Sequence, residues 1–285
     1  MKTINKPSWI RYRIPGGEGY LRVKKTISDL YLHTICTEAG CPNAGECFAT
    51  GTATFLILGD TCTRDCRYCS VKKGIPQLPD PGEPARIAEA VMRLGLKYAV
   101  ITSVTRDDIS DGGSSFFAET CSRIRKTTPG CGVELLVPDF KNSMERSLDL
   151  IRMSGPSVLN HNIETVKDYF PLLRPSGDYG HSLSLLKRAA DCGFTVKSGL
   201  MIGFGESLEQ IKTTMNDLIN TGCSILTVGQ YLKSDKNNYE VVKYYHPDEF
   251  EEIRLMAEST GFSSVMSAPN VRSSYHAREQ YAAGD

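Results

Sequence analysis

Six of the ten cysteines in this 285-residue chain fall within 34 consecutive positions, from Cys36 to Cys69. The other four, Cys121, Cys131, Cys192 and Cys223, stand singly. Isolated cysteines of that kind behave as small core side chains. A disulfide framework belongs to short exported chains. The opening MKTINKPSWIRYR has neither the apolar core of a secretion signal nor the arginine- and serine-rich character of a transit peptide. The six grouped thiols therefore need a chemical reason, and gathered thiolates are ligands for soft metals.

The second group is CTRDCRYC, with Cys62, Cys66 and Cys69 spaced C-x3-C-x2-C directly after the first predicted strand. Three thiolates on one short loop can bind three irons of a [4Fe–4S] cube and leave the fourth iron open. A small molecule with amine and carboxylate groups can chelate that iron. Zinc is the competing reading, although zinc sites normally take four protein ligands, often as two CxxC pairs. The first group is CTEAGCPNAGEC, with Cys36, Cys41 and Cys47 spaced C-x4-C-x5-C. It too is one ligand short of a cube, with zinc or unliganded thiols as alternatives.

From residue 52 onward apolar, β-rich runs alternate with helix-period segments. The predicted strands are TATFLIL (52–58), KYAVIT (97–102), VELLV (133–137), SVLNHNIE (157–164), FTVKSGLM (194–201) and SILTVG (224–229). Between them, Pro84 suits a first helical turn before Ile87, Val91 and Leu94. SLEQ at 207–210 reads as a capping box. A further helix runs from about Pro247 to a stop at Gly261. Six strand–helix units with continuous apolar strands imply an α/β fold with a parallel sheet and helices outside. Polar residues recur after most strands, which favours a partial (β/α)6 TIM-type barrel over a doubly wound sheet, because barrel strand ends share one rim. The expected organisation is an N-terminal extension over 1–51, the barrel over 52–261 and a C-terminal extension over 262–285.

Lysine plus arginine (33) equals aspartate plus glutamate (33), so no net field draws nucleic acid or an anionic membrane. No run of about 18 apolar residues spans a bilayer, and the expected setting is the cytoplasm. His33, His181 and His246 lack ligand-like spacing. Trp9, Tyr12 and Tyr20 are expected to pack the N-terminal extension.

The spacing of Cys62, Cys66 and Cys69, with the aromatic Tyr68 before the last cysteine, resembles the signature of the radical S-adenosylmethionine (SAM) superfamily. The whole set resembles one family in it, the lipoyl synthases. That set is C-x4-C-x5-C with CPN and EC, then C-x3-C-x2-C, then VRSSYHA with Arg272, Ser273, Ser274 and Tyr275. GTATFLILGDTCTR (51–64), ITSVTRDDISDGG (101–113), NHNIETV (160–166), KSGLMIGFGE (197–206) and GQYL (229–232) follow the family's segments in order.

The resemblance implies two [4Fe–4S] clusters and SAM as cofactors. Cys62, Cys66 and Cys69 would hold the cluster that cleaves SAM. Cys36, Cys41 and Cys47 would hold an auxiliary cluster, sacrificed as sulfur source, with Ser274 rather than Ser273 as its fourth ligand. An alkoxide is a harder ligand than a thiolate and suits a cluster that must be opened. Gly112 and Gly113 would let backbone approach the methionine. Asn162 and Glu164, on one face by strand periodicity, would serve the ribose, as in a similar NHN run of biotin synthase. Arg174 and Lys197 would face the methionine carboxylate or substrate, unless they form surface salt bridges. Arg272 would steady the serine loop.

The implied reaction inserts two sulfur atoms, at carbons 6 and 8, into an octanoyl chain on a lysine of a lipoyl carrier domain. The implied partners are octanoylated acyltransferase subunits of dehydrogenase complexes or the glycine-cleavage carrier protein, with ferredoxin or flavodoxin as electron donor. Another radical sulfur inserter, one using its second cluster only for electron transfer, and a zinc scaffold are the rival readings. Two departures stand out. KSDKNNYEV (233–241) replaces a proline–threonine step and a histidine–leucine pair, which bears on carrier or substrate contacts, and GFGE replaces the commoner GLGE.

Overall fold

The apolar runs become strands because continuous burial on both faces leaves β-structure as the way to pair their backbone groups. In the computed structural model, residues 5–10, 16–39, 41, 43–49 and 54–282 are described. Tyr12 and the first two residues of the first predicted strand, 52 and 53, lie outside them. The chain divides into two bodies, Tyr12–Arg64 with Val71–Leu159, and Met1–Arg11 with Asp65–Ser70 and Asn160–Asp285.

The first body opens with α1 (Glu18–Asp29), β1 (His33–Thr34), α2 (Ile35–Glu38) and α3 (Ala44–Ala49). Then come β2 (Thr54–Ile57), β3 (Thr61–Cys62), β4 (Lys72–Lys73), α4 (Glu83–Leu94), β5 (Tyr98–Ser103), α5 (Ser114–Thr127), β6 (Gly132–Leu136) and α6 (Met144–Ser154). β1 pairs antiparallel with β2, while β2–β5 and β5–β6 are parallel. β2 is buried at every position, as a central parallel strand should be. α4 carries Pro84 in its first turn, buries Ile87, Val91 and Leu94, and ends on the left-handed Gly95. Each such aliphatic side chain contributes roughly 1.5–3 kcal/mol on burial. α5 packs between α4 and α6.

β7 (Val158–Asn160) ends at Asn160, where the chain passes into the second body. It comprises a 3₁₀ turn (Lys167–Tyr169), α7 (Phe170–Leu173), α8 (Tyr179–Asp191), β8 (Val196–Ile202), α9 (Leu208–Asn220), β9 (Ile225–Gln230), α10 (Pro247–Thr260), β10 (Ser264–Ala268) and α11 (Ala277–Ala282). β8–β9 and β9–β10 are parallel. Ser207 and Gln210 form the expected capping box of α9, and α10 stops at the left-handed Gly261.

Two expectations are corrected. The strand read over 157–164 ends at Asn160, because the Ser198 hydroxyl takes over the main chain beyond it. Ser198 Oγ donates to the His161 carbonyl (2.9 Å) and accepts from the Ile163 N–H (3.1 Å). Glu164 then adopts φ 70°, and only a single bridge to Leu200 remains. The strand–helix alternation also does not stop at residue 261. Residues 264–268, read as part of a C-terminal extension, form β10 against β9 through five paired positions. Its sequence, SVMSA, lacks a continuous apolar run because only its first residue is buried.

Candidate active site

The first three thiols sit on the short helices before β2. Thr34 Oγ1 accepts the Thr37 N–H (3.3 Å) and so caps α2, which carries the buried Cys36. The Cys41 N–H donates to the Cys36 carbonyl (3.0 Å), and the Cys47 N–H to Asn43 (2.9 Å). Burial pushes the Cys36 thiol up to about 11, with Cys41 adding to it. Burial and then the charges of Cys36 and Cys41 push Cys47 up to about 12. The charges of the neighbouring sulfurs are thus felt at Cys36 and Cys47, whose burial makes their ionisation require a cationic partner. Among the described residues no three His, Cys, Asp or Glu side chains stand in finished metal-holding geometry. The fit to a cluster is thus one of donor chemistry and proximity.

The loop with the other three thiols begins in the first body. The Arg64 N–H donates to Cys62 Sγ (3.4 Å), and the Gly74 N–H to the Cys62 carbonyl (3.0 Å). Arg64 itself is 4% exposed. Its guanidinium holds Asp107 through Nε and Nη2 (2.7 and 2.8 Å) and Asp139 through Nη1 and Nη2 (both 2.6 Å). Thr63 Oγ1 donates to the Thr105 carbonyl (3.0 Å) and accepts the Asp107 N–H (3.2 Å). The loop's first half is thereby pinned to the segments after β5 and β6. The buried Arg106 makes a similar fork on Asp108 and reaches the Leu58 carbonyl (3.1 Å).

Gly112 and Gly113 follow β5 with φ 59° and 86°. A Cβ on Gly113 would lie 2.2 Å from Leu58 Cδ1, and one on Gly112 3.0 Å from Phe140 Cδ1. Conformation and packing both require glycine here. Asp111 accepts the N–H groups of Gly113 (2.9 Å) and Ser115 (3.0 Å) at the start of α5.

In the second body, Cys66, Tyr68 and Cys69 lie near a polar group built on the residues after β7. Asn162 Nδ2 donates to Glu164 Oε1 (3.2 Å) and to Ser273 Oγ (2.6 Å). The two side chains do meet, although a turn at Glu164 and not strand periodicity brings them together. Burial raises the Glu164 carboxyl above its ordinary value, opposed by Arg174 and the Asn162 hydrogen bond. Burial also pushes the Tyr68 hydroxyl well up, with Cys66 and Glu164 adding and Arg174 opposing. Arg174 donates to the Asn162 carbonyl (3.3 Å) and lies over the Phe170 ring at 4.9 Å.

Arg174 is 7% exposed and Lys197 0%, so neither is a surface salt bridge. Asn162 Oδ1 is shielded from water and accepts no hydrogen bond. A buried acceptor of that kind, next to a carboxylate and a guanidinium, suits a polar ligand with hydroxyl and amine donors.

The C-terminal segment reaches this group because two strand glycines make room. A Cβ on Gly199 would lie 2.7 Å from Asn162 Oδ1 and 3.0 Å from Ser273 Oγ. A Cβ on Gly229 would lie 2.1 Å from the Val271 carbonyl. Arg272 Nη1 donates to that same carbonyl (2.6 Å) and steadies the turn before the serines. Ser273 pairs with Asn162, and Ser274 is the next residue. The GFGE turn closes on its own carboxylate. Glu206 accepts the N–H groups of Gly203 (2.6 Å) and Phe204 (2.9 Å) and the Tyr245 hydroxyl (3.0 Å).

Sequence reasoning passed over Arg64, Asp107, Asp139 and Ser198. The available signal was a charged residue inside the thiol loop and paired aspartates directly after two strands. Trp9 and Tyr20 pack as expected, Trp9 Nε1 donating to the Tyr245 carbonyl (3.2 Å) and Tyr20 lying against Phe48.

A thiol loop leaving the first strand of a parallel α/β frame defines a class of enzyme, and residues 56–218 match the radical SAM superfamily. Solved structures agree on the partial-barrel fold. Methylornithine synthase superposes with a TM-score of 0.57 at 14% identity, over 70% of this chain and 61% of that one. Escherichia coli coproporphyrinogen III oxidase, a radical SAM enzyme, gives 0.52 at 14%, over 76% and 55%.

Residues 2–41 match the N-terminal domain of lipoyl synthase. The chain is 49% identical to the lipoyl synthase of Methylococcus capsulatus over 98% of its length and 87% of that protein's. It is 50% identical to that of Caldicellulosiruptor saccharolyticus over 98% of both. The chain belongs to the lipoyl synthase family. It is a radical SAM enzyme of the sulfur-inserting kind, and its superfamily implies SAM and a [4Fe–4S] cluster. Among the described residues no helix is long and apolar enough to cross a membrane.

Proposed function

We propose that the chain inserts sulfur at carbons 6 and 8 of an octanoyl group carried on a lysine of a lipoyl carrier domain. The carriers would be acyltransferase subunits of dehydrogenase complexes or the glycine-cleavage carrier protein, with a ferredoxin or flavodoxin supplying electrons. The observation that carries this reading is the Asn162–Ser273 hydrogen bond. It supports a reaction centre where the serine segment adjoins the side chains suited to SAM.

When bound, a cluster on the loop together with SAM supplies a 5′-deoxyadenosyl radical that takes hydrogen from an unactivated carbon, and an auxiliary cluster supplies sulfur. Cys62, Cys66 and Cys69 are the ligands assigned to the first, and Cys36, Cys41, Cys47 and Ser274 to the second. Glu164 and the Asn162 Oδ1 would accept hydrogen bonds from ribose hydroxyls. Arg174 and Lys197 offer cations to the methionine carboxylate, while Tyr68 screens the centre from water. Gly112 and Gly113, besides their packing duty, present backbone to the methionine end. Ser274 would offer the second cluster a harder and more exchangeable oxygen than the three sulfurs.

The test is mass spectrometry of an octanoylated lipoyl domain after anaerobic turnover with both clusters loaded. The expected product carries two added sulfurs. Unmodified octanoyl chains in the presence of intact clusters would refute the assignment.

A further inference from the structure

The segment 233–241, one of the two departures in the sequence, lies in the second body. It grips the half of the thiol loop that carries Cys66 and Cys69. Asn238, 7% exposed, donates through Nδ2 to Ser70 Oγ (2.8 Å) and to the Tyr68 carbonyl (3.4 Å). Ser234 Oγ shares a hydrogen bond with Ser70 Oγ (2.5 Å). The Tyr239 N–H donates to the Arg67 carbonyl (2.8 Å), and the Arg67 N–H donates in turn to the Leu173 carbonyl (2.8 Å). Both main-chain groups of the residue after Cys66 are therefore fixed, one by α7 and one by the divergent segment.

The segment is itself rigid. Asp235 Oδ1 accepts the Asn237 N–H (2.8 Å), the Asp235 carbonyl accepts the Asn238 N–H (3.0 Å), and the Tyr231 hydroxyl donates to the Tyr239 carbonyl (2.7 Å). The second departure from the family pattern meets the first here. Phe204 of GFGE stacks on Tyr231 at 4.3 Å and lies 6.0 Å from Tyr239. Tyr68 packs against the same apolar cluster.

We infer that Asn238 and Tyr239 are positioning residues for Cys66 and Cys69, and that Phe204 is the packing counterpart that seats them. Resting on the reading of Cys62, Cys66 and Cys69 as cluster ligands, this assigns the two departures one shared duty. Donors to the Arg67 and Tyr68 carbonyls fix the backbone between Cys66 and Cys69 and offset the negative ends of those carbonyl dipoles beside the two thiols. Residues around a metal site set its affinity and potential in this way.

The experiment compares the anaerobically reconstituted full chain with its Asn238→Ala, Asn238→Gln and Phe204→Leu variants. Triple alanine variants of each thiol set identify which irons leave. Iron release to a chelator, the EPR-monitored midpoint potential and thermal unfolding are measured. Asn238→Ala should lose the irons of the Cys62 set about tenfold faster, with a lower midpoint potential and unaltered release from the Cys36 set. Phe204→Leu should shift both readouts the same way by less, and Asn238→Gln, which keeps the amide, should recover part of the rate.

Unchanged release and potential in both Asn238→Ala and Phe204→Leu would overturn the inference. So would equal acceleration at both sets alongside a lower melting temperature, which marks a general structural role. Full iron retention in the Cys62, Cys66 and Cys69 triple variant would instead overturn the underlying cluster reading.

Discussion

The two thiol groups share a count of three cysteines and differ in how they are held. Cys36, Cys41 and Cys47 sit on or beside two helices of four and six residues, and their neighbourhood is poor in water. Among the described residues the Thr34 cap, a few main-chain bonds and Thr54 against Cys36 steady them. Cys62, Cys66 and Cys69 lie in a loop whose non-ligand residues are all employed, with Arg64 clamped by two aspartates and Arg67 to Ser70 gripped from 234–239. Burial makes Cys36 and Cys47 resist ionisation, and the second loop has its backbone set in advance. A site that must survive every turnover needs the second kind of support. Under the proposed function the Cys36 set is the one consumed, and the first kind of support suffices for it.

The largest effect that could break this comparison comes from removing either set whole. Alanine at Cys36, Cys41 and Cys47 should remove about four irons and abolish sulfur insertion while 5′-deoxyadenosine still forms. Alanine at Cys62, Cys66 and Cys69 should remove about four irons and abolish both products. Chromatography of the nucleoside beside mass spectrometry of the carrier decides it, and identical outcomes would mean the sets are not functionally distinct.

Next in size is Arg64→Ala. It removes the cation that forks onto the buried Asp139 and should cost about 3–5 kcal/mol in denaturant unfolding. A loss below about 1 kcal/mol, the range of an exposed pair, would show that the clamp is not what holds the loop.

A third measurement sharpens the contrast in hydration. With the Cys36 thiol raised to about 11, the neutral form dominates at pH 8 and the thiolate is about one part in a thousand. Alkylation of Cys36 in the metal-free chain should therefore be slow at pH 8 and rise about tenfold per pH unit toward pH 11. Peptide mapping that finds Cys36 and Cys47 labelled at the rate of an ordinary thiol would remove the enclosure argument. The smallest expected effect is Thr34→Ala, which deletes the α2 cap and should cost about 1 kcal/mol. Iron occupancy of the Cys36 set should fall with it, and that of the Cys62 set should not.

How much of this was legible in the sequence varied with the kind of signal. Periodicity and punctuation gave α4, α9 and α10 nearly to the residue, because Pro84, Ser207 with Gln210 and Gly261 act through local backbone chemistry. β10 escaped because its neighbours leave four of its five residues partly exposed, so no apolar run marks it. Asn162 and Glu164 were paired correctly for the wrong reason, since the Ser198 hydroxyl and the left-handed Glu164 replace the strand that alternation implied. The cysteines stood out in the sequence because their spacing is itself the feature on which the proposed cluster chemistry rests. Arg64 did not, because its partners lie 43 and 75 positions away and only folding brings them to it.

Gly229 opens a route that no ligand substitution offers. Since the Val271 carbonyl occupies the space where a Cβ would stand, a single added methyl acts as a bump that dislodges the Arg272–Ser274 segment while every proposed iron ligand keeps its native chemistry. Such a variant is a steric tool for separating where the serine sits from what the serine is.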